Sequence, residues 1–277
     1  MFKTRLLSGI VLMAVIIFFM VYGSYPLFVF ITAISLIGLF ELYRTVKMEK
    51  SVPAILCYIT SIALDIFILD GYYYMAAIAG IAVFLLVMAC YVFGFPKYKS
   101  DQISMLLFGL MYVTVCLSCV FKVRFMQNGI VNVWLIFICA WGSDTCAYCV
   151  GRLIGKTHLP GNLHELSPKK TVAGCVGGVV GAALIGGIYA AIMYKDKNMI
   201  WVFIFICAVG AVIGQIGDLA ASAIKRNNNI KDYSNLIPGH GGILDRFDSI
   251  IFTAPIVFTL LLLTYGKYHT LFMCLDI

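Results

Sequence analysis

Nine stretches of this 277-residue chain are apolar over lengths that can cross the hydrocarbon core of a bilayer: roughly 5–22, 26–43, 52–70, 72–94, 103–121, 130–151, 172–194, 199–224 and 248–266. Inside that core no water reaches the backbone, so each stretch has to satisfy its own N–H and C=O groups. Runs of this length do so as helices. The pattern therefore predicts an all-α, polytopic membrane protein with about nine transmembrane helices. Composition agrees, since 62% of the residues are hydrophobic and only 12% charged, an excess that one soluble core cannot hide. Lys3 and Arg5 precede the first run and no small-x-small site follows it, so it reads as a retained helix. Little more than Asp70 and Gly71 separates the third run from the fourth, which predicts a tight hairpin.

The basic residues set an orientation. With a cytoplasmic N-terminus, only Lys122, Arg124, Lys195, Lys197 and Lys267 face out, and the other fifteen of the 20 Lys and Arg face in. The positive-inside rule favours this solution, and an odd number of spans then puts Ile277 outside. The net charge of +7 is thus topology and phosphate binding, with no basic soluble domain for nucleic acid. No linker divides the chain. It reads as one integral membrane domain, 1–277, with mostly apolar helices over 1–125 and the motifs within 130–266.

Nine of the ten cysteines fall inside apolar runs, where cysteine packs as a small hydrophobe. The CxxC spacings Cys116/Cys119 and Cys146/Cys149 are read in the same way. The seventh run is rich in glycine (Gly174, Gly177, Gly178, Gly181, Gly186, Gly187), which lets helices approach closely within one chain or across a dimer.

Acids inside spans are costly unless they face protein, water or a cation. Asp65 lies near the outer end of its run and reads as interfacial and structural. Asp144, in WGSDTCAYCVGR, has Tyr148 at i+4 and Arg152 a turn further on. Asp218, in GQIGDLAASAIKR, shares a helical face with Gln215, Ser222 and Lys225, a polar stripe suited to a cavity. The stretch from Lys231 to Ser249, KDYSNLIPGHGGILDRFDS, sets Asp245 and Asp248 three residues apart where the last run begins. Helix capping explains such a pair, and so does a divalent cation held by oxygen ligands. Gly239, Gly241 and Gly242 around His240 permit close backbone approach to an anion. A second loop ends in SPKKT, where Ser167, Lys169 and Lys170 stand at a helix N-terminus suited to phosphate or to plain membrane anchoring.

Carboxylates, bases and a divalent cation at one membrane face form the constellation of phosphoryl or nucleotidyl transfer. A membrane site implies a lipid phosphate and a soluble nucleotide as reactants. The stretch from Ser222, SAIKRNNNIKDYSNLIPGHGGILDRFD, resembles the signature of the phosphatidate cytidylyltransferase (CDP-diacylglycerol synthase) family. GQIGDLAASAIKR and DTCAYCVGRLIGKTHLPGNLHELSPKKT fit as well, so the motif-bearing likeness covers Asp144 to Asp248. The resemblance implies a bacterial plasma-membrane enzyme, a homodimer among membrane lipids. It implies that phosphatidic acid and CTP become CDP-diacylglycerol and pyrophosphate with Mg²⁺, as one metal ion or two, the second divalent or monovalent. Asp218, Asp245 and Asp248 are then the metal ligands, with Asp144 a fourth carboxylate. Those three aspartates, Lys170 and Lys225 are the catalytic set. Lys169, Arg226, Lys231 and Arg246 neutralise phosphates, while Ser167, Ser222, His240, Gly241 and Gly242 contact substrate. The family follows Ser-Pro-Lys-Lys-Thr with x-Glu-Gly, whereas Val172, Ala173 and Gly174 stand here. That departure implies a slower enzyme or another acid, such as Glu165. A nucleotide-dependent polyprenol or lipid kinase and a cation-coupled transporter are the rival readings.

Overall fold

The structure, a computed structural model, describes residues 2–269, with side-chain surroundings for residues 6–265. The expectations for Lys3, Arg5, Lys267 and Ile277 lie outside those bounds. Every named element is a helix: α1 (Phe2–Tyr22), α2 (Ser24–Thr45), α3 (Val52–Leu69), α4 (Tyr73–Phe93), α5 (Ser100–Gly109), α6 (Cys116–Phe125), α7 (Gly129–Asn132), α8 (Trp134–Phe137), α9 (Ser143–Ile154), α10 (Asn162–Leu166), α11 (Val172–Met193), α12 (Asn198–Asn227) and α13 (Leu244–His269). Two wide π-helical turns, Leu110–Val115 and Ile138–Gly142, join α5 to α6 and α8 to α9. Among the described residues eight helical stretches are long and apolar enough to cross a membrane, and the first run is the shorter apolar helix Leu6–Tyr22. The chain is a multi-pass membrane protein.

The fold comprises two compact units, residues 1–125 with 224–247, and residues 126–223 with 248–277. The stretch 224–247, with most of the signature, folds with the N-terminal helices.

In the first unit α2 packs on α1, α3 and α6, and α3 packs on α4. Helix α4 buries only Val83 and Val87, leaving an apolar surface matched to lipid. Ser51 caps α3 by accepting from the N–H of Ala54 at 3.3 Å. Two of the bases assigned to the outer side close helix C-termini, where cations complement the dipole. Lys122 Nζ donates to Ile68 O at 2.9 Å. Arg124 donates to Met20 O at 2.8 Å and Val21 O at 3.0 Å. Gly23, at φ 66°, leaves room for that guanidinium, which a Cβ would meet at 2.7 Å. Asp65, read as interfacial, is wholly buried and accepts from Thr32 Oγ1 at 2.9 Å, tying α3 to α2.

In the second unit α11 packs along α9. The glycine stripe is what allows it: a Cβ on Gly177 would sit 2.5 Å from Val150, and one on Gly181 would sit 2.5 Å from Cys146. Gly186 and Gly187 do the same against Cys207 and Ile204 of α12. The stripe is therefore filled within the chain. Asn132, Tyr194 and Tyr265 form a polar knot, with the Tyr194 hydroxyl 2.9 Å from Asn132 Oδ1 and 3.2 Å from the Tyr265 hydroxyl. The cysteines of the described residues are all free.

Candidate functional site

In the first unit the signature loop is built around two carboxylates. Asp245 is the second residue of α13, so it is not the N-cap. Its Oδ1 accepts from Lys225 Nζ at 2.8 Å, and its Oδ2 accepts from the N–H groups of Tyr233 (2.8 Å) and Gly242 (3.0 Å). The two side chains of this ion pair are only 12% and 2% exposed. Buried charges persist when paired and hydrogen-bonded in this way. Lys225 also lies over the Tyr233 ring, 5.5 Å from its centre.

The second carboxylate is Glu41, near the end of α2 and 3% exposed. It accepts from Ser234 Oγ at 2.5 Å, Ile243 N at 3.0 Å and Leu244 N at 2.8 Å. Glu41 thus satisfies the first N–H groups of α13, which no intrahelical carbonyl can reach. Sequence reasoning did not find it. One signal was available: an acid in the last turns of a helix opposes the macrodipole, so it needs another reason to be there.

The loop glycines answer to these same groups. Gly241 has φ 86°, and a Cβ on it would lie 2.9 Å from Asp245 Oδ2. A Cβ on Gly242 would lie 2.6 Å from both Glu41 oxygens. The anions that these glycines approach here are the chain's own carboxylates. His240 sits at the loop tip, its Nδ1 2.9 Å from Ser8 Oγ, and that hydroxyl is 3.0 Å from Pro238 O. A cleft of about 500 Å³ is lined by Lys231, Asp232, Asn235, Gly239, His240, Gly241 and Arg246. Arg246 Nε is buried without a hydrogen-bond partner, so this guanidinium keeps a donor in reserve. Arg226 is exposed, its NH1 3.4 Å from Ile230 O.

The second unit holds the other predicted residues. Asp218, on α12, pairs with Lys170 at 2.5 Å, with side chains 28% and 22% exposed. Gln215, one turn before Asp218, donates to Ser143 Oγ at 3.2 Å and to Cys175 O at 3.0 Å, fixing α12 against α9 and α11. The π turn Ile138–Gly142 precedes Ser143 and Asp144, and such turns re-aim the side chains that follow. Ser143 is buried and Asp144 exposed. Asp248 is buried, its Oδ1 accepting from its neighbour Ser249 N at 2.8 Å. Ser167 and Ser222 are half-buried and Lys169 is exposed. Thr171 caps α11 through Gly174 N at 3.1 Å. Glu165 is exposed on the short helix α10.

A hard divalent cation takes carboxylate oxygens. Among the described residues no three His, Cys, Asp or Glu side chains stand together as a metal-binding group. The donor chemistry nevertheless fits. Asp218 is a part-exposed carboxylate with an ammonium group against it, in the place a cation would take. Asp245 fits less well, because three N–H donors already engage its oxygens.

The class is thereby defined: a multi-pass helical membrane protein with lysine–carboxylate pairs and a polar, basic-lined cleft. The profile of the cytidylyltransferase family matches residues 3–264, and the chain belongs to that family. It is similar to the phosphatidate cytidylyltransferase of Bacillus subtilis (strain 168), 33% identical over 270 residues, covering 94% of this chain and 98% of the relative. It is also similar to the proteins of that name in Staphylococcus epidermidis (strain ATCC 12228 / FDA PCI 1200), 31% identical over 95% of this chain and 100% of the relative, and Staphylococcus aureus (strain COL), 30% identical over 94% and 99%.

Proposed function

We propose that this chain transfers the cytidylyl group of CTP to phosphatidate, giving CDP-diacylglycerol and pyrophosphate. A phosphate oxygen of the lipid bonds to the α-phosphorus of CTP. The bond from that phosphorus to the α,β-bridging oxygen breaks, and pyrophosphate leaves with the electron pair. A phosphate monoester is already largely ionised near neutral pH, so no strong base is required. The work left to the protein is to place two anions in line and offset their charge.

The observation that carries this reading is the cleft beside the His-Gly-Gly loop, with Lys231, His240 and Arg246 on its wall. Arg246 on the cleft wall offers its guanidinium to a phosphate oxygen. Lys225 is held by Asp245 in one orientation. Lys170, paired with the part-exposed Asp218, supplies a second ammonium group for a phosphate once that carboxylate turns to a cation. Ser167, Lys169, Ser222, Arg226, Gly241 and Gly242 complete the proposed substrate-contacting set.

Of the four aspartates proposed for Mg²⁺, Asp144, Asp218, Asp245 and Asp248, the part-exposed Asp218 is the one whose carboxylate would hold it with least rearrangement, and Asp245 is the most constrained. It would supply positive charge against the phosphate oxygens as the leaving group departs. The reaction is proposed to open on the cytoplasmic face, where CTP is found. A homodimer would pair through a face other than the glycine stripe, since α9 and α12 fill it.

The test is full-length protein in detergent micelles with Mg²⁺, phosphatidate and CTP labelled in the cytidine. Label is expected in the lipid phase, with one pyrophosphate released for each label transferred. Label confined to the aqueous phase, or CDP released in place of pyrophosphate, would refute the reading, the second in favour of a lipid kinase.

A further inference from the structure

The loop Tyr233–Leu244 is closed at its base by the two carboxylates described above, one inside the signature and one far outside it. Asp245 bridges Tyr233 N to Gly242 N. Glu41 bridges Ser234 Oγ to Ile243 N and Leu244 N. Each therefore ties the entry of the loop to its exit, one residue further on in the Glu41 case. Between the ties the chain carries Pro238, Gly239, His240 and Gly241, three of which line the cleft. Gly242 lies between the two carboxylates, with no room for a Cβ on the Glu41 side.

From this geometry we infer that Glu41 is a positioning residue of the cytidylyltransferase site, acting through the loop to hold His240, Gly241 and Arg246 at the cleft. The inference rests on the proposed function for what the cleft binds, and on the hydrogen bonds alone for the clamp. The carboxylate is almost fully buried and all three of its partners donate to it. No neutral side chain reproduces that. A glutamine keeps one acceptor and turns its NH₂ toward an N–H donor. An aspartate falls one methylene short. Arg246, two residues beyond Leu244 on the first turn of α13, moves with the helix start that Glu41 holds. Ser8 steadies the loop from outside by its contact with His240, whereas Glu41 defines the two ends.

The experiment compares full-length parent, Glu41→Gln, Glu41→Asp and Ser234→Ala in one detergent. Trypsin cleavage after Lys231, an exposed residue at the loop base, is followed by mass spectrometry, and initial rates are measured against CTP. Loss of a hydrogen bond to a charged group corresponds to about tenfold or more in an equilibrium. Glu41→Gln is expected to fold with a lowered melting point, to be cleaved after Lys231 about tenfold faster under conditions where it is fully folded, and to raise KM for CTP about tenfold. Ser234→Ala moves both quantities the same way by about threefold, and Glu41→Asp recovers part of the loss. A merely structural residue would lower the amount of folded protein and leave the KM of the remainder unchanged. That result overturns the inference, as does a folded Glu41→Gln cleaved at the parent rate. If both Glu41 variants fail to fold, an unchanged cleavage rate and KM in Ser234→Ala overturn it. A parent that never labels lipid from CTP defeats the proposed function instead, and the cleavage rates still judge the clamp.

Discussion

The two units each hold a lysine–aspartate pair, and the pairs differ in every respect but composition. Lys225–Asp245 is sealed, its side chains 12% and 2% exposed, and two backbone N–H groups complete the carboxylate. Lys170–Asp218 is open, its side chains 22% and 28% exposed. A sealed pair cannot exchange partners without leaving a charge buried. In the more open pair the Lys170 Nζ is still buried while the Asp218 side chain is part-exposed, so the carboxylate is the member a ligand can reach. The same two residue types thus form a sealed pair in one unit and a part-exposed pair in the other.

The comparison can be broken by substitution. Asp245→Asn leaves Lys225 buried without its countercharge and is expected to cost about 3–5 kcal/mol of stability. Thermal unfolding in detergent checks this, and a melting point within a degree or two of the parent would mean that the pair is not architectural. Gly241→Ala forces a Cβ into a left-handed position against Asp245, and a loss of about 1–2 kcal/mol is expected in the same assay. Lys169→Gln alters an exposed side chain and sharpens the contrast with its neighbour Lys170. As a proposed phosphate contact on an exposed side chain, Lys169 is expected to be worth about threefold to fivefold in KM for CTP, corresponding to about 1 kcal/mol.

The spans were legible because apolar length is a property of consecutive residues. The same holds for the loop-plus-glycine signature and for the stripe of Gln215, Asp218, Ser222 and Lys225. Partners were not legible. Asp218 could have met any of several bases, and its pairing with Lys170 follows from packing that no spacing encodes. Glu41 was hidden for a deeper reason. Its partners lie 193, 202 and 203 residues away, and two of them are backbone N–H groups, which every non-proline residue carries. The loop glycines were read as places of close backbone approach to an anion, and the sequence offered no means of seeing that Asp245 and Glu41 stand against Gly241 and Gly242. Asp245 and Asp248, three residues apart in sequence, fall in different units and have different surroundings. The π turn ahead of Asp144 has no sequence mark of its own.

Besides the cleft, the proposed chemistry needs the Asp218 carboxylate, and the rate of label transfer from CTP into lipid by Asp218→Asn tests it most directly. The substitution removes a charge from a part-exposed site, so the protein is expected to melt with the parent while the rate per folded molecule falls by about 10²–10³. A folded Asp218→Asn protein that labels lipid within a few-fold of the parent rate would contradict it.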